Sequence, residues 1–211
     1  MTKSSERYGK IFFLVFVGVL AIACSAYFIG IQNGLREKEG DAVVEVYVNG
    51  EALYAYEVDA VLKVNPGMDR EAIIESTIDE MLIIQYAREK QIEIADDELN
   101  YVLKVYQEHY PEIYRDAVDG YGEEGLKTGI KNRLLMSAAL IEIMEEPAYK
   151  IDLSADAVWQ YLFENGLDPA TLNEDEYEEA KKLYVERKEA ENKERWIRNA
   201  RQVAEIIYSE E

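Results

Sequence analysis

The sequence predicts a mainly helical domain with one small antiparallel sheet, preceded by a single transmembrane helix. Val44, Val46 and Val48 alternate with polar or aromatic residues, and this period of two is typical of a half-buried strand. Helical patterns then fill the chain as far as AEIIYS, the short β-branched stretch at 204–209. Because an isolated hairpin is only marginally stable in water, we expect this last stretch to pair with the first strand. The sheet would then join the N-terminal and C-terminal strands of the domain.

The transmembrane helix is predicted from residues 11–31, IFFLVFVGVLAIACSAYFIGI, which are 21 residues without a charge. A helix of that length measures about 31 Å, close to the hydrocarbon thickness of a bilayer. Lys3, Arg7 and Lys10 precede it, and positively charged flanks favour the cytoplasmic side of a membrane. We therefore expect a cytoplasmic basic tail at 1–10, a single-pass anchor in the cytoplasmic membrane, and an extracytoplasmic remainder of the chain.

The single cysteine, Cys24, lies within this apolar stretch, so no intramolecular disulfide can form. The sequence LAIAC that ends at Cys24 resembles the bacterial lipoprotein box, in which a lipidated cysteine follows a leucine and small residues. Here Leu20 lies one place too far back, Ile22 is bulky, and seven more residues of the apolar stretch follow the cysteine. We therefore prefer an uncleaved transmembrane anchor and keep lipidation of Cys24 as the alternative.

The helices of the domain are predicted from their start and stop signals. Asp69 is expected to cap a long helix whose apolar residues cover most of its circumference, which is typical of a central, buried helix. Asp96 is expected to cap the next helix, and Pro111 to end or restart it. The sequence DGYGEEG at 119–125 predicts a loop. In order, the predicted segments are a polar linker at 32–42 and a single domain at 43–211 with helices at 57–63, 70–90, 96–110, 126–144, 154–166 and 174–202.

The chain is strongly acidic outside its N-terminal segment. Residues 41–211 contain 18 Lys or Arg and 40 Asp or Glu, a net charge of −22, whereas residues 1–40 carry five basic and three acidic residues. Such a field repels phosphate backbones, so the composition argues against nucleic acid as a partner. A basic or unfolded polypeptide is compatible with it, and so is a surface that charge merely keeps soluble. The sequence leaves the oligomeric state open.

No pattern in the sequence predicts catalysis, a cofactor or a metal site. His109 is the only histidine, so a His-based metal cluster or a Ser-His-Asp relay would have to form around it. Asp96-Asp97-Glu98 lacks the spacing and central glycine of an EF-hand loop, and a helix cap accounts for these acids. Glu123-Glu124 and Glu145-Glu146 fit solvated helix positions better than acid–base pairs. We therefore expect a protein that is not an enzyme.

Three stretches, in this order, carry a family resemblance. VVEVYVNGEALYAYEVD at 43–59 combines a strand, an Asn-Gly turn and a helix start. IIESTIDEMLIIQYAREKQIEIADDEL at 73–99 joins a long apolar helix to a β-branched linker and an acidic cap, and RWIRNARQVAEIIYS at 195–209 joins a final helix to a returning strand. This order resembles the N-terminal, peptide-binding domain of the SurA and PrsA extracytoplasmic chaperones, which is related in fold to the C-terminal part of trigger factor. The resemblance implies a bacterial cell-envelope chaperone that binds unfolded or newly exported polypeptides.

The chain departs from those relatives in two places. SurA and PrsA relatives carry a parvulin prolyl isomerase domain before the last helix, whereas residues 151–173 offer 23 residues here, fewer than the roughly 50 that a domain needs. Tyr54 occupies the helix-cap position where relatives usually have Ser or Thr, which weakens the helix start by about 1 kcal/mol. The first departure predicts a membrane-anchored chaperone without isomerase activity. The alternatives are a module that docks one specific cell-envelope partner, and a degenerate isomerase.

The sixteen tyrosines of the chain bear on peptide binding. Most fall at helix positions where an amphipathic ring covers the edge of a core. Tyr101 and Val105 lie off the apolar face of their predicted helix, and Tyr110 and Tyr114 follow nearby. Aromatic rings on a rigid scaffold give contact area at little cost in entropy. We therefore name Tyr101, Val105, Tyr110 and Tyr114 as a candidate groove that holds extended polypeptide without sequence selection.

Overall fold

The computed structural model describes residues 43–209. The predicted basic tail at 1–10, the anchor at 11–31 with Cys24, and the linker at 32–42 lie outside the described residues. The strands are β1 (Val44–Val48), β2 (Glu51–Tyr54) and β3 (Ile206–Tyr208), and the helices are α1 (Ala55–Val64), α2 (Arg70–Glu89), α3 (Asp96–His109), α4 (Pro111–Glu145), α5 (Ala155–Glu164) and α6 (Glu174–Val203), with a 3-10 turn at Pro169–Thr171. Within residues 43–209, none of the helices combines the length and hydrophobicity that a bilayer crossing requires.

Packing divides the described chain into two compact units. The first unit comprises residues 43–139 and 203–209, and it contains the sheet, α1, α2, α3 and most of α4. The second unit comprises residues 140–202, which hold the end of α4, all of α5 and nearly all of α6. The predicted mainly helical class with a small antiparallel sheet is confirmed. That residues 43–211 form one domain stays a prediction.

The sheet joins the two ends of the described chain, as the sequence predicts. β1 is central, and β2 and β3 lie antiparallel on either side of it. Asn49 and Gly50 have φ values of 50° and 82°, the left-handed conformations that a tight turn between β1 and β2 needs. Val46 and Val48 are fully buried, and each has a β3 residue as its partner in the register. β3 therefore covers the edge of β1 that would otherwise be left unpaired.

Capping residues and apolar patterns in the sequence determine where the helices of the first unit begin and which faces they bury. The Asp69 side chain accepts a hydrogen bond from the Ala72 N–H at 3.1 Å and so caps α2, as predicted. Glu57 Oε2 accepts a bond from the Tyr54 N–H at 2.8 Å, and this carboxylate strengthens the start of α1, where Tyr54 replaces a Ser or Thr cap. The buried residues of α2 are Ile73, Thr77, Ile78, Met81, Leu82, Ile83, Ile84 and Ala87. They cover much of its circumference, which confirms the prediction of a central helix.

Two predicted boundaries are wrong. Ala95, not Asp96, is the N-cap of α3, and Asp96 lies inside the first turn, where its charge interacts favourably with the helix dipole. Residues 119–125 form no extended loop, because the two helical stretches that together make up α4 (Pro111–Glu145) meet there at a kink. Gly122 alone leaves the helical region within α4, with φ 70° and ψ 167°. Since glycine adopts a positive φ without steric cost, one residue absorbs the break and its neighbours remain helical.

Candidate functional site

Tyr101 and Val105 lie one helical turn apart on α3. Tyr101 is 55% exposed and Val105 is half-buried, whereas Val102, Leu103 and Tyr106 form the buried face of the same helix. At about 100° per residue, Tyr101 projects on the side of α3 that faces away from those buried residues. Tyr101 therefore lies off the buried face of α3, and its ring is accessible to a ligand.

Tyr110 and Tyr114 lie at the junction of α3 and α4, where the Tyr114 N–H donates to the Tyr110 carbonyl at 2.9 Å. Both are half-buried against the apolar core of the first unit, whose buried members here are Ile94, Val102, Leu103, Tyr106, Leu126, Ile130 and Leu134. The ring centroids of Tyr110 and Tyr106 are 6.0 Å apart. These two tyrosines therefore contribute to core packing. That they line one groove together with Tyr101 and Val105 stays a prediction.

Tyr106, which packs beside Tyr110, has a buried hydroxyl with no hydrogen-bond partner among the residues that the structure describes. Burial raises the pKa of Tyr106 to about 12, and the neighbouring Tyr110 adds to the increase. The phenol therefore stays neutral near pH 7. It serves the core as an aromatic ring, and its protonation state suits no acid–base role at neutral pH.

The second unit presents a different surface, which is built on the ten-residue helix α5. Ser154 caps this helix by accepting a hydrogen bond from a backbone N–H of the first turn at 3.3 Å, as the sequence predicts. Val158 and Leu162 are fully buried, and they pack in one cluster with Ala180 and Tyr184 of α6. These two aliphatic side chains, one helical turn apart, attach α5 to the first half of α6 together with Tyr161, whose ring centroid lies 5.2 Å from that of Tyr184.

Trp159 and Phe163 lie on the side of α5 next to the buried pair, and they too are one helical turn apart. They are 46% and 59% exposed, and Leu167, which follows the helix, is 43% exposed. We call Trp159, Phe163 and Leu167 the α5 stripe. Leu153, which precedes the helix, is 55% exposed as well. Large apolar side chains are therefore exposed before, along and after α5.

A glycine turn holds Leu167 beside the last turn of α5. Gly166 has a φ of 76°, a left-handed conformation that glycine adopts without steric cost. The Leu167 N–H donates to the Leu162 carbonyl at 2.9 Å, and the Gly166 N–H donates to the Phe163 carbonyl at 3.0 Å. These two bonds form a Schellman motif, which commonly places the residue after the glycine against the end of the helix. The α5 stripe therefore extends beyond the helix itself.

The stretch of sequence that contains the α5 stripe is acidic, whereas the structure places a basic group, Arg187 of α6, over a ring of α5, 5.7 Å from the centroid of Tyr161. Residues 151–180 contain nine Asp or Glu and no Lys, Arg or His. Asp156 and Glu164 lie on α5, and both are exposed. Across residues 43–209, no group of three or more His, Cys, Asp or Glu side chains is placed to hold a metal ion. Dispersed acids of this kind attract an extended positive charge, such as that of a basic polypeptide.

The prediction from the sequence missed Trp159 and Phe163. ADAVWQYLFE, residues 155–164, contains two pairs of large apolar residues at a spacing of four, Val158 with Leu162 and Trp159 with Phe163. A helix that packs on one neighbour buries a single apolar stripe. The excess of apolar residues over one such stripe is the signal that could have identified the exposed pair.

The fold is similar to that of solved SurA-like chaperones. One match comes from the human pathogen Campylobacter jejuni, whose virulence factor PEB4 and periplasmic protein Cj1289 are two structurally related SurA-like chaperones. The TM-score is 0.60 at 14% sequence identity, and the match covers 80% of this chain and 100% of the C. jejuni chain. No family model and no curated protein matches the sequence. The chain therefore has a SurA-like fold, which confirms the resemblance inferred from its three stretches.

Proposed function

We propose, from the SurA-like fold, that this is a chaperone-like protein that binds unfolded or newly exported polypeptides. We further infer that residues 11–31 anchor it in the cytoplasmic membrane, with the helical part outside the cytoplasm. The observation that carries the proposal is the combination of this fold with large apolar side chains exposed on packed helices. Trp159 and Phe163 on α5, and Tyr101 on α3, are the main examples.

Exposed aromatic side chains suit the binding of unfolded chains for a physical reason. Unfolded polypeptides differ in sequence but share exposed apolar side chains. Contact between such a side chain and an aromatic ring removes apolar surface from water, which is worth about 25 cal/mol per Å². Tyr and Trp have only two side-chain torsions, so they lose little conformational entropy on binding. Rings on helices that are already packed therefore provide affinity without demanding one sequence.

The segment between α4 and α6 supports a function without prolyl isomerase activity. Residues 146–173 hold the ten-residue α5, the turn at Pro169–Thr171 and short connections. A folded domain needs roughly 50 residues or more, so a parvulin domain does not fit in this interval. We infer that the protein binds polypeptides without catalysing their isomerisation.

Aggregation of unrelated unfolded proteins tests the proposed function. Several client proteins of different folds are diluted from denaturant into buffer that contains the full chain in a neutral detergent, and light scattering is followed. We expect the scattering of every client to fall as more protein is added. The detergent alone and an unrelated acidic protein are the controls. If no client is protected and one tight partner is recovered from the cell envelope, the protein is instead a module that docks a specific partner.

A further inference from the structure

We propose that the α5 stripe binds short polypeptide segments that combine apolar side chains with lysine or arginine. The inference rests on the proposed function, to which it adds a location and a preferred client chemistry. The occupant is a segment of another, unfolded chain. Two features of the second unit would recognise it, namely the exposed rings of Trp159 and Phe163 and the acidic stretch of sequence that contains them.

The packing of α5 does not account for its exposed aromatic residues. Val158 and Leu162 are fully buried and already attach the helix to α6. Ser154 caps one end of α5, and the Gly166 turn closes the other. Trp159 and Phe163 nevertheless remain about half exposed, although aromatic rings normally contribute their large apolar area to a core or an interface. Exposed apolar side chains grouped on one surface are typical of an interaction site.

The α5 stripe has the dimensions of a short extended segment. Phe163 follows Trp159 by four positions within α5, which is about 6 Å at the rise of a helix. About two residues of an extended chain cover the same distance, at roughly 3.3 Å each. Because successive side chains of an extended chain alternate in direction, two client residues at positions i and i+2 would contact the two rings. The residues that flank the segment would then lie above the neighbouring surface.

The sequence on both sides of α5 is acidic. The nine acidic residues of 151–180 are accompanied by no basic residue. Asp156 lies in the first turn of α5 and Glu164 is its last residue, so a negative charge lies near each end of the aromatic pair. At physiological ionic strength, charges interact over about 8 Å before screening dominates. Lysine or arginine beside the apolar residues of a client is therefore favoured, and Asp or Glu is disfavoured.

Tryptophan fluorescence of the full chain tests this inference. The protein has two tryptophans, and Trp159 is exposed whereas Trp196 is buried, so a ligand on the stripe acts mainly on Trp159 emission. The probes are two synthetic peptides that share a short run of leucines and differ only in their flanks, lysines in one and glutamates in the other. We expect the lysine peptide to shift the emission to the blue with saturation. The glutamate peptide should bind at least about tenfold more weakly, and added salt should narrow this difference.

Matched variants locate the binding site. Phe163→Ala should lower the affinity for the lysine peptide by about tenfold, while Trp159 remains as the reporter. Leu183→Ala removes another exposed side chain of the second unit, on α6, and should leave the affinity unchanged. Both side chains are more than half exposed, so unchanged thermal midpoints should show that the variants are folded. An equal loss in Tyr101→Ala, with none in Phe163→Ala, would place the site on α3 and overturn the inference.

The results separate this inference from the proposed function. Equal affinity for the two peptides, or unchanged affinity in Phe163→Ala, overturns the α5 site. If the wild-type chain still suppresses the aggregation of unrelated clients in that case, the chaperone function stands and only the site is wrong. If no client is protected, but wild type binds the lysine peptide and Phe163→Ala does not, the α5 binding site is supported and the chaperone function is wrong.

Discussion

Substitution of Asn49 tests whether the sheet closes on the C-terminal strand. Asn49 begins the turn after β1, with a φ of 50°. Its Oδ1 accepts a hydrogen bond from the Glu205 N–H at 2.9 Å, and its Nδ2 donates one to Gln85 Oε1 at 2.8 Å. Its own backbone N–H donates to the Glu205 carbonyl at 2.8 Å. One residue therefore connects the turn to the segment before β3 and to α2.

Asn49→Ala removes both side-chain bonds and places alanine in a left-handed conformation. The two bonds are exposed and together contribute about 1–2 kcal/mol to the free energy of unfolding. The left-handed conformation costs alanine about 1–2 kcal/mol more. The expected loss is about 2–4 kcal/mol, which lowers the thermal midpoint by roughly 5–15 °C for a chain of this size. Asn49→Gly loses the same bonds without the strain, so it should cost about 1–2 kcal/mol.

The assay is thermal unfolding of the full chain and both variants, followed by circular dichroism under one buffer condition. The midpoints should rank wild type above Asn49→Gly and Asn49→Gly above Asn49→Ala. A midpoint of Asn49→Ala within about 1 °C of wild type would mean that Asn49 does not connect to Glu205 and Gln85. Equal midpoints for the two variants would instead refute the left-handed backbone at this position.

Deleting residues 204–211 should lower the thermal midpoint and promote aggregation, because β3 is lost and the β1 edge is uncovered. Deleting only 210–211 is the control, and equal melting of both truncations would mean that the two ends do not pair. Tyr106→Phe should not destabilise the protein near pH 7, since it removes a buried hydroxyl that has no partner within residues 43–209. Because the pKa of Tyr106 rises from 10.0 to about 12 on folding, the unfolded chain loses this proton first, and wild-type stability should fall between those pH values. As the pH rises through this range, the urea midpoint of Tyr106→Phe should fall less than that of wild type. An identical fall in both proteins would refute the raised pKa of Tyr106. Protease added to intact spheroplasts should digest the part after residue 32 and spare residues 1–10, and a protected domain would reverse the predicted topology. Cys24→Ala should stay in the membrane fraction, whereas its release would support lipidation.

The sheet and the central helix could be predicted because their signals are local and agree with one another. The alternation of Val44, Val46 and Val48 marks one buried face, and Asn49 followed by Gly50 supplies the backbone conformations of the turn. The closing strand required one further argument, namely that a hairpin alone is marginal. Since the sequence offers a single other strand-like segment, at 204–209, the partner of β1 followed from elimination.

The errors arose where one residue type serves two structural roles. Asp at a helix start fits the N-cap as well as the first turn, and α3 uses Ala95 as the cap and Asp96 inside the turn. Glycine-rich sequence is typical of loops, yet α4 passes through residues 119–125 with a break only at Gly122. The exposure of Trp159 depends on which face of α5 meets α6, and local sequence patterns do not determine that choice.

Negative charge has a second consequence for an exposed apolar surface. The α5 stripe would be a liability on a neutral protein, because apolar surfaces of two copies could bury one another. Here every copy carries the same nine acidic residues at 151–180, and like charges at close range oppose such an encounter. A basic segment that approaches the stripe is attracted by the same acidic residues. The same charges would thus protect the stripe from self-association and select its clients, so raising the salt concentration should weaken client selection and promote self-association together.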